Sequence, residues 1–355
     1  MLGEKGRGAE NSDMVSMKEI ARRCGVSVAT VSKALNDYSD VGEETKRMVR
    51  QAAEEAGYYL NSSVRGLKTN RTYNLGVLFV DEARSGLTHD YFAAMLESFK
   101  VRAEARGYDI TFTNCNVNSR KMSYYEHCRY RGVDGVVIAC IDFYKAEVQE
   151  LIHSDLPVVT IDHLFDNRTA ILSDNVGGME ELVTYICQMG HQRIAYIHGA
   201  ESSVTRSRIN SFFRTLARLE INIPDEYVRE AEYRDTVSAR AITKELLELP
   251  VPPTCILYQD DFAALGGMNA IKDKNLKIPE DISIAGYDGI VVSQVLEPRL
   301  TTIQQNTAEI GKLAADHLIN QIENPRTAAV EHVTVPGRLI RGESVKRIKA
   351  ERSFP

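Results

Sequence analysis

Short hydroxyls, one lysine and a set of carboxylates stand at spacings that could do two kinds of chemistry. Between Val26 and Asn36, the side chains of Ser27, Thr30 and Ser32 lie at or near a helix start. With the backbone N–H groups there they are suited to hold phosphates, and Asn36 extends that polar side. Lys33 can donate hydrogen bonds to guanine, whereas Val28 and Ala29 offer only apolar contact, for instance to a thymine methyl. Further on, Asn175, Asp260, Asp261 and Asp288 each follow a short apolar run. Carboxylates in such places engage two vicinal hydroxyls of a sugar at once, while an aromatic face covers the C–H side. The chain has no Trp, so stacking would fall to Tyr91, Tyr233 or Phe165. An acid–base pair made of Asp260 and Asp261 is disfavoured, because adjacent residues at a strand end point apart and nothing marks a nucleophile. Neither G-x-x-x-x-G-K-[ST] nor G-x-G-x-x-G occurs.

The first set needs rigid carriers. A helix beginning just after Ser27 puts Val31, Ala34 and Leu35 on one face and Val28, Ala29, Ser32, Lys33 and Asn36 on the other. Upstream, Met17 to Cys24 reads as a second short helix, with Ser16 and Glu19 spaced as a capping box and Gly25 as its left-handed stop. Two short helices meeting at a Gly turn form the helix-turn-helix layout, although an ordinary αα-corner shares the spacing. Glu43 to Ala56 reads as a third helix with Met48, Val49, Ala52, Ala53 and Ala56 inward, ended by Gly57.

The second set needs a larger scaffold. The 355 residues exceed one ordinary domain, and 43% hydrophobic content suffices for globular cores. Residues 14–71 carry ten Lys/Arg against seven Asp/Glu, a balance of +3 in a chain of net −6, so only that segment suits a polyanion. From Asn74 onward, apolar runs alternate with amphipathic stretches: Leu75–Val80, Ile110–Thr113, Val136–Ile141, Val158–Ile161, Ile194–His198, Cys255–Tyr258 and Ile282–Ala285 read as strands. Such a series predicts parallel sheets covered on both faces, and two sheets rather than one. Six cysteines without C-x-x-C or zinc-ligand spacing read as reduced core residues, and no metal or cofactor is expected. No run of eighteen apolar residues exists and the opening is no signal sequence, so a cytoplasmic protein without a membrane partner is expected.

Val26 to Asn36, followed by Gly57-Tyr58 and Asn61 to Leu67, resembles the amino-terminal pattern of the lactose/galactose repressor family, V-S-x-x-T-V-S-[RK]-x-x-N and then G-Y-x-P-N-x-x-A-x-x-L. It departs at Leu60 for Pro, Val64 for Ala, and Lys33 where Arg is commoner. The resemblance continues through Met189-Gly190-His191, Tyr258-Gln259-Asp260-Asp261, Ile278-Pro279-Glu280-Asp281 and Gly286-Tyr287-Asp288 to the family core, which is similar to periplasmic sugar-binding proteins.

The resemblance implies an all-α helix-turn-helix head (16–60) after a disordered extension (1–15), then a hinge (61–73). An α/β core of two doubly wound parallel-sheet lobes would follow (74–340), and a tail (341–355). Lobe one would be 74–161 with 291–324, and lobe two 162–290 with 325–340. Asn61 would help position the duplex. Val64, Arg65 and Leu67 would form a hinge helix on operator DNA, Leu67 acting as a minor-groove wedge. The family's ligand positions fall on His89, Asp90, Tyr91, Arg208, Tyr233 and Gln305, beside Asn175, Asp260 and Asp288. The implied protein is a homodimeric, non-enzymatic transcriptional repressor of operator DNA whose cleft binds a small molecule. A carbohydrate is the expected class; the alternative is a nucleobase or other metabolite, or no small-molecule effector.

Overall fold

The computed structural model describes residues 16–58, 71–80, 86–117 and 120–349. They fall into two units divided at Thr72–Tyr73, each taken by itself. The hinge residues Asn61, Val64, Arg65 and Leu67 lie outside the described residues.

In the first unit, α1 (Met17–Cys24), α2 (Val28–Leu35) and α3 (Glu43–Glu55) enclose a small core of Ile20, Ala21, Val31, Ala34, Val41, Val49 and Ala53. These are the apolar positions spaced three and four apart, so each helix buries one stripe. Gly25 ends α1 at φ 65°, the left-handed conformation that turns the chain into α2 and that a side chain would strain. Two expectations fail locally. Ser16 makes no side-chain cap, because Glu19 turns instead to Arg22 and Arg23 at 2.7 and 3.1 Å. Met48 is 41% exposed, whereas Lys46 is buried along its stem with its ammonium reaching Asp37 and Glu43 at the rim.

The second unit holds two parallel sheets. The first has six strands, in the order β13-β7-β6-β5-β1-β2: β1 (Asn74–Phe79), β2 (Asp109–Phe112), β5 (Gly135–Ala139), β6 (Val158–Ile161), β7 (Thr169–Ser173) and β13 (His332–Val335). A short ribbon, β3 (Asn116–Val117) with β4 (Arg120–Lys121), lies outside it. Helices α4 (Asp90–Ala105), α5 (Tyr124–Arg131), α6 (Ala146–Ile152) and α12 (Thr307–Glu323) accompany this sheet. The second sheet runs β11-β10-β8-β9: β8 (Ile194–His198), β9 (Val228–Glu230), β10 (Cys255–Tyr258) and β11 (Ser283–Ala285). With it go α7 (Asn175–Gln188), α8 (Ser203–Arg218), α9 (Thr236–Leu247), α10 (Asp261–Asp273) and α11 (Val291–Val295). The antiparallel pair β12 (Thr302–Gln304) and β14 (Arg338–Ile340) adjoins that sheet through the Ala285–Thr301 and Asp288–Gln304 bridges. The central strand β5 is apolar throughout, as Val136, Val137 and Ile138 show, because both faces are covered.

The lobe boundaries differ from those expected. β7 pairs with β6 and β13 with β7, so residues 169–173 and 332–335 belong to lobe one. Residues 291–304 belong to lobe two: Leu300 N donates to Ser293 O, Thr301 N to Ser344 Oγ, and β12 pairs with β14. The chain therefore crosses after Ser173, after Gln304 and after Val335. Residues 162–168 join two parallel strands without a helix, so Asp162 had the look of a lobe boundary. On lobe one, α12 packs against α4, with Arg102 Nε 2.8 Å from Asp316. All six cysteines are free, but only Cys128 and Cys255 are fully buried.

Candidate functional site

Ser27 is the N-cap of α2. Its Oγ accepts from Thr30 N at 3.0 Å and lies 2.8 Å from Thr30 Oγ1, so the hydroxyls expected to meet phosphate also stiffen the helix start. Asn36 closes the other end, its Nδ2 donating to Ser32 O at 2.6 Å. Between these ends Val28 and Ala29 are exposed, and half-exposed Lys33 is ion-paired with Asp40. Nearby, hydrogen bonds from Arg22 and Arg23 hold the Glu19 carboxyl down at about 2. One outward side of α2 thus carries Val28, Ala29 and Lys33 on a helix fixed at both ends.

In the two-lobed unit the polar residues converge where strands end. Arg208, on α8, is 3% exposed. Its Nε donates to Asn175 Oδ1 at 2.8 Å and its Nη1 to Gln259 O at 3.0 Å, while Nη2 lies 3.8 Å from Asp288 Oδ1. The guanidinium lies over the Tyr287 ring, 3.6 Å from its centre. Asp288 follows β11 at φ 101°, a strained conformation of the kind that collects at binding sites, and accepts from Gln305 Nε2 at 2.6 Å. Burial pushes its carboxyl up to about 6 against the opposing pull of Arg208. Gln305 Oε1 and Gln259 Oε1 are buried without a hydrogen-bond partner, leaving acceptor capacity in the cluster.

Across the cleft, Tyr91 OH donates to Asp162 Oδ2 at 3.0 Å and lies 3.1 Å from Ser173 Oγ. Asp162 Oδ1 accepts from Ser173 N at 2.7 Å, and burial raises both the Tyr91 phenol and the Asp162 carboxyl. Tyr233 OH pairs with Thr205 Oγ1 at 2.8 Å. A cavity of about 440 Å³ lies at the crossings, lined by Gln304, Gln305, Asn306 and Pro336 among others. A wider hollow, about 620 Å³, lies among Leu265, Met268, Leu276 and Leu296 and shares no residue with the polar cluster.

The structure therefore gathers Asn175, Arg208, Asp288 and Gln305 into one cluster. Asp260 differs from expectation: it is the N-cap of α10, one oxygen taking Ala263 N at 2.6 Å and the other Arg234 N at 2.9 Å. Asp261 is likewise occupied, by Thr302 Oγ1 and Ile290 N. His89 packs edge-on against Phe92, ring centres 4.7 Å apart, and Asp90 pairs with Arg234 at 3.0 Å. Reading the sequence missed Asp162, Ser173, Gln259, Arg234 and the role of Tyr287. Of these only Gln259 and Tyr287 carried a signal, each standing in a shared motif beside an expected ligand aspartate.

Residues 16–61 match the family model described as bacterial regulatory proteins, lacI family, and residues 183–345 match that of a periplasmic binding protein-like domain. The chain is 31% identical over 338 residues to the probable HTH-type transcriptional repressor ExuR of Bacillus subtilis, covering 94% of this chain and 99% of the relative. It is 30% identical over 320 residues to the ribose operon repressor of Escherichia coli, covering 88% and 94%. The crystal structure of the lac repressor dimer bound to operator and the anti-inducer ONPF superposes with a TM-score of 0.79 at 25% identity, covering 94% of this chain and 99% of that one. A helix-turn-helix head on a periplasmic-binding-protein-like core defines a transcriptional regulator, not an enzyme. This chain belongs to the lacI family of bacterial regulatory proteins. Among the described residues no helix is long and apolar enough to cross a membrane.

Proposed function

We propose that this repressor acts as a homodimer on a palindromic operator and that a polyhydroxylated small molecule in the interlobe cleft sets its affinity for DNA. Val28, Ala29 and Lys33 read base edges, while Ser27, Thr30, Ser32, Asn36 and Asn61 fix register on phosphates. Val64, Arg65 and Leu67 form the hinge contact in the minor groove. One observation carries the effector reading: Arg208, Asn175, Asp288 and Gln305 form a buried cluster with an unused acceptor, Gln305 Oε1. Hydroxyls supply both donors and acceptors to such a cluster, and the stacking role is assigned to Tyr91 or Tyr233. The ribose named for one relative's operon accords with this class.

Closure around the ligand changes the separation of the two hinge segments in the dimer, and so their ability to pair on DNA. The test is a thermal-shift screen of the intact chain against sugars, sugar derivatives and nucleobases, repeated with Arg208→Met. A sugar-class compound should raise the wild-type midpoint and leave the variant unmoved. A nucleobase hit, or a hit indifferent to Arg208, refutes the carbohydrate assignment.

A further inference from the structure

The cleft has a second arginine, and it bridges the lobes. Arg234 lies between β9 and α9 on lobe two, yet its Nη1 donates to Asp90 Oδ2 at 3.0 Å and its Nη2 to Thr88 O at 3.3 Å, both on lobe one. Its side chain is 9% exposed, whereas that of Asp90 is 49% exposed. The guanidinium stacks on Phe262, 4.5 Å from the ring centre. The backbone beneath it is locked at φ 58°, with Arg234 N held by the Asp260 carboxylate at 2.9 Å. Strain of this kind at a non-glycine residue is kept only where the surroundings enforce it.

The hydrogen bonding of Arg234 is lopsided. Nε is buried without a partner, and Nη2, which shares its edge of the guanidinium, has only the long bond to Thr88 O. That edge is the fork that takes a carboxylate or phosphate with two parallel bonds. The side-chain hydrogen bonds of Arg234 both go to lobe one, so opening of the cleft would free the fork, which lies within electrostatic reach of Asp288.

We propose that Arg234 is a specificity residue for an anionic substituent, carboxylate or phosphate, on the effector, taken by the Nε–Nη2 edge while Asp90 keeps Nη1. This rests on the cleft reading above: hydroxyls go to Arg208 and Asp288, and the anion to Arg234. An incoming anion displaces only the long Thr88 bond at Nη2, and selectivity follows because a neutral sugar leaves the Nε edge unused.

The experiment is isothermal titration of the intact chain with matched probes: D-galactose and D-glucose, their uronates, and glucose 6-phosphate. Wild type should bind an acidic probe at least tenfold more tightly than its neutral parent. Arg234→Gln should abolish that preference while leaving the weak neutral binding in place. Asp90→Asn, which removes a carboxylate that neutralises the guanidinium from its Nη1 side, should tighten the acidic probe several-fold. The uronate and phosphate arms distinguish the two anion sources. If no acidic probe exceeds its neutral parent, or if the preference survives Arg234→Gln, the assignment of Arg234 fails. Neutral binding lost in Arg208→Met would leave the cleft reading standing in that case, and acidic binding indifferent to both arginines would sink both.

Discussion

Asp288 offers a prediction whose size follows from its surroundings. Burial raises its carboxyl from the ordinary 3.8 to about 6, with Arg208 pulling down and Asp260 pushing up. At about 1.36 kcal/mol per pH unit, ionising it in the folded core is about 3 kcal/mol harder than in the unfolded chain. Because the folded value lies above the unfolded one, its stabilising contribution is fully present below pH 4 and lost as pH rises through 6. Asp288→Asn removes the ionisation while keeping an acceptor for Gln305. The stability difference between variant and wild type should therefore move in the variant's favour by about 3 kcal/mol between pH 3 and pH 8. At about 2 °C per kcal/mol for a body of this size, the gap in melting midpoint should widen by about 6 °C. Circular-dichroism melts of both proteins at unit pH intervals measure it, and the raised carboxyls of Asp162, Asp260 and Asp261 are present in both and largely cancel. A gap that stays constant across this range would refute the reasoning. It would mean that Arg208 neutralises Asp288 and that no stored electrostatic cost remains for a ligand's hydroxyls to relieve.

Two further outcomes are expected. In Gly178→Ala the new methyl would lie 2.4 Å from the Tyr287 hydroxyl. The ring beneath Arg208 must then shift, which should lower stability by about 1–3 kcal/mol and weaken the ligand-induced thermal shift, both read in one melting series. Asp40→Asn frees Lys33 from its ion pair. DNA binding measured by fluorescence anisotropy should tighten, and an unchanged affinity would place Lys33 away from the duplex.

The head was largely legible in the sequence because its signals are local: Gly25 needs a left-handed turn, Ser27 caps α2, and Ile20, Val31 and Val49 recur at helical spacing. The Ser16–Glu19 box failed although its spacing was right, since Arg22 and Arg23 offered Glu19 opposite charge within one turn. In the core, alternation of strand and helix gave two parallel sheets, but not the crossings. The short 162–168 connection carries no helix, and which sheet β7, β12 and β13 join is decided by pairing partners far along the chain. The clustering of Arg208, Asp288 and Gln305 was legible where the motif was shared. Asp162, Ser173 and Arg234 meet their partners through long-range contacts that spacing cannot encode. Asp260 looked like a ligand residue for the reason that makes it a good cap: a carboxylate immediately before a helix.

The most direct measurement takes the intact chain on an operator duplex recovered by selection from random-sequence DNA, titrated by fluorescence anisotropy with and without a compound that passes the thermal-shift screen. The wild-type affinity for DNA should change by a factor of about 5–150 on adding the compound, while Arg208→Met keeps the unliganded affinity and loses the change. Equal responses from the two proteins, or no selected sequence at all, would contradict the coupling of a DNA-reading head to a ligand-reading cleft.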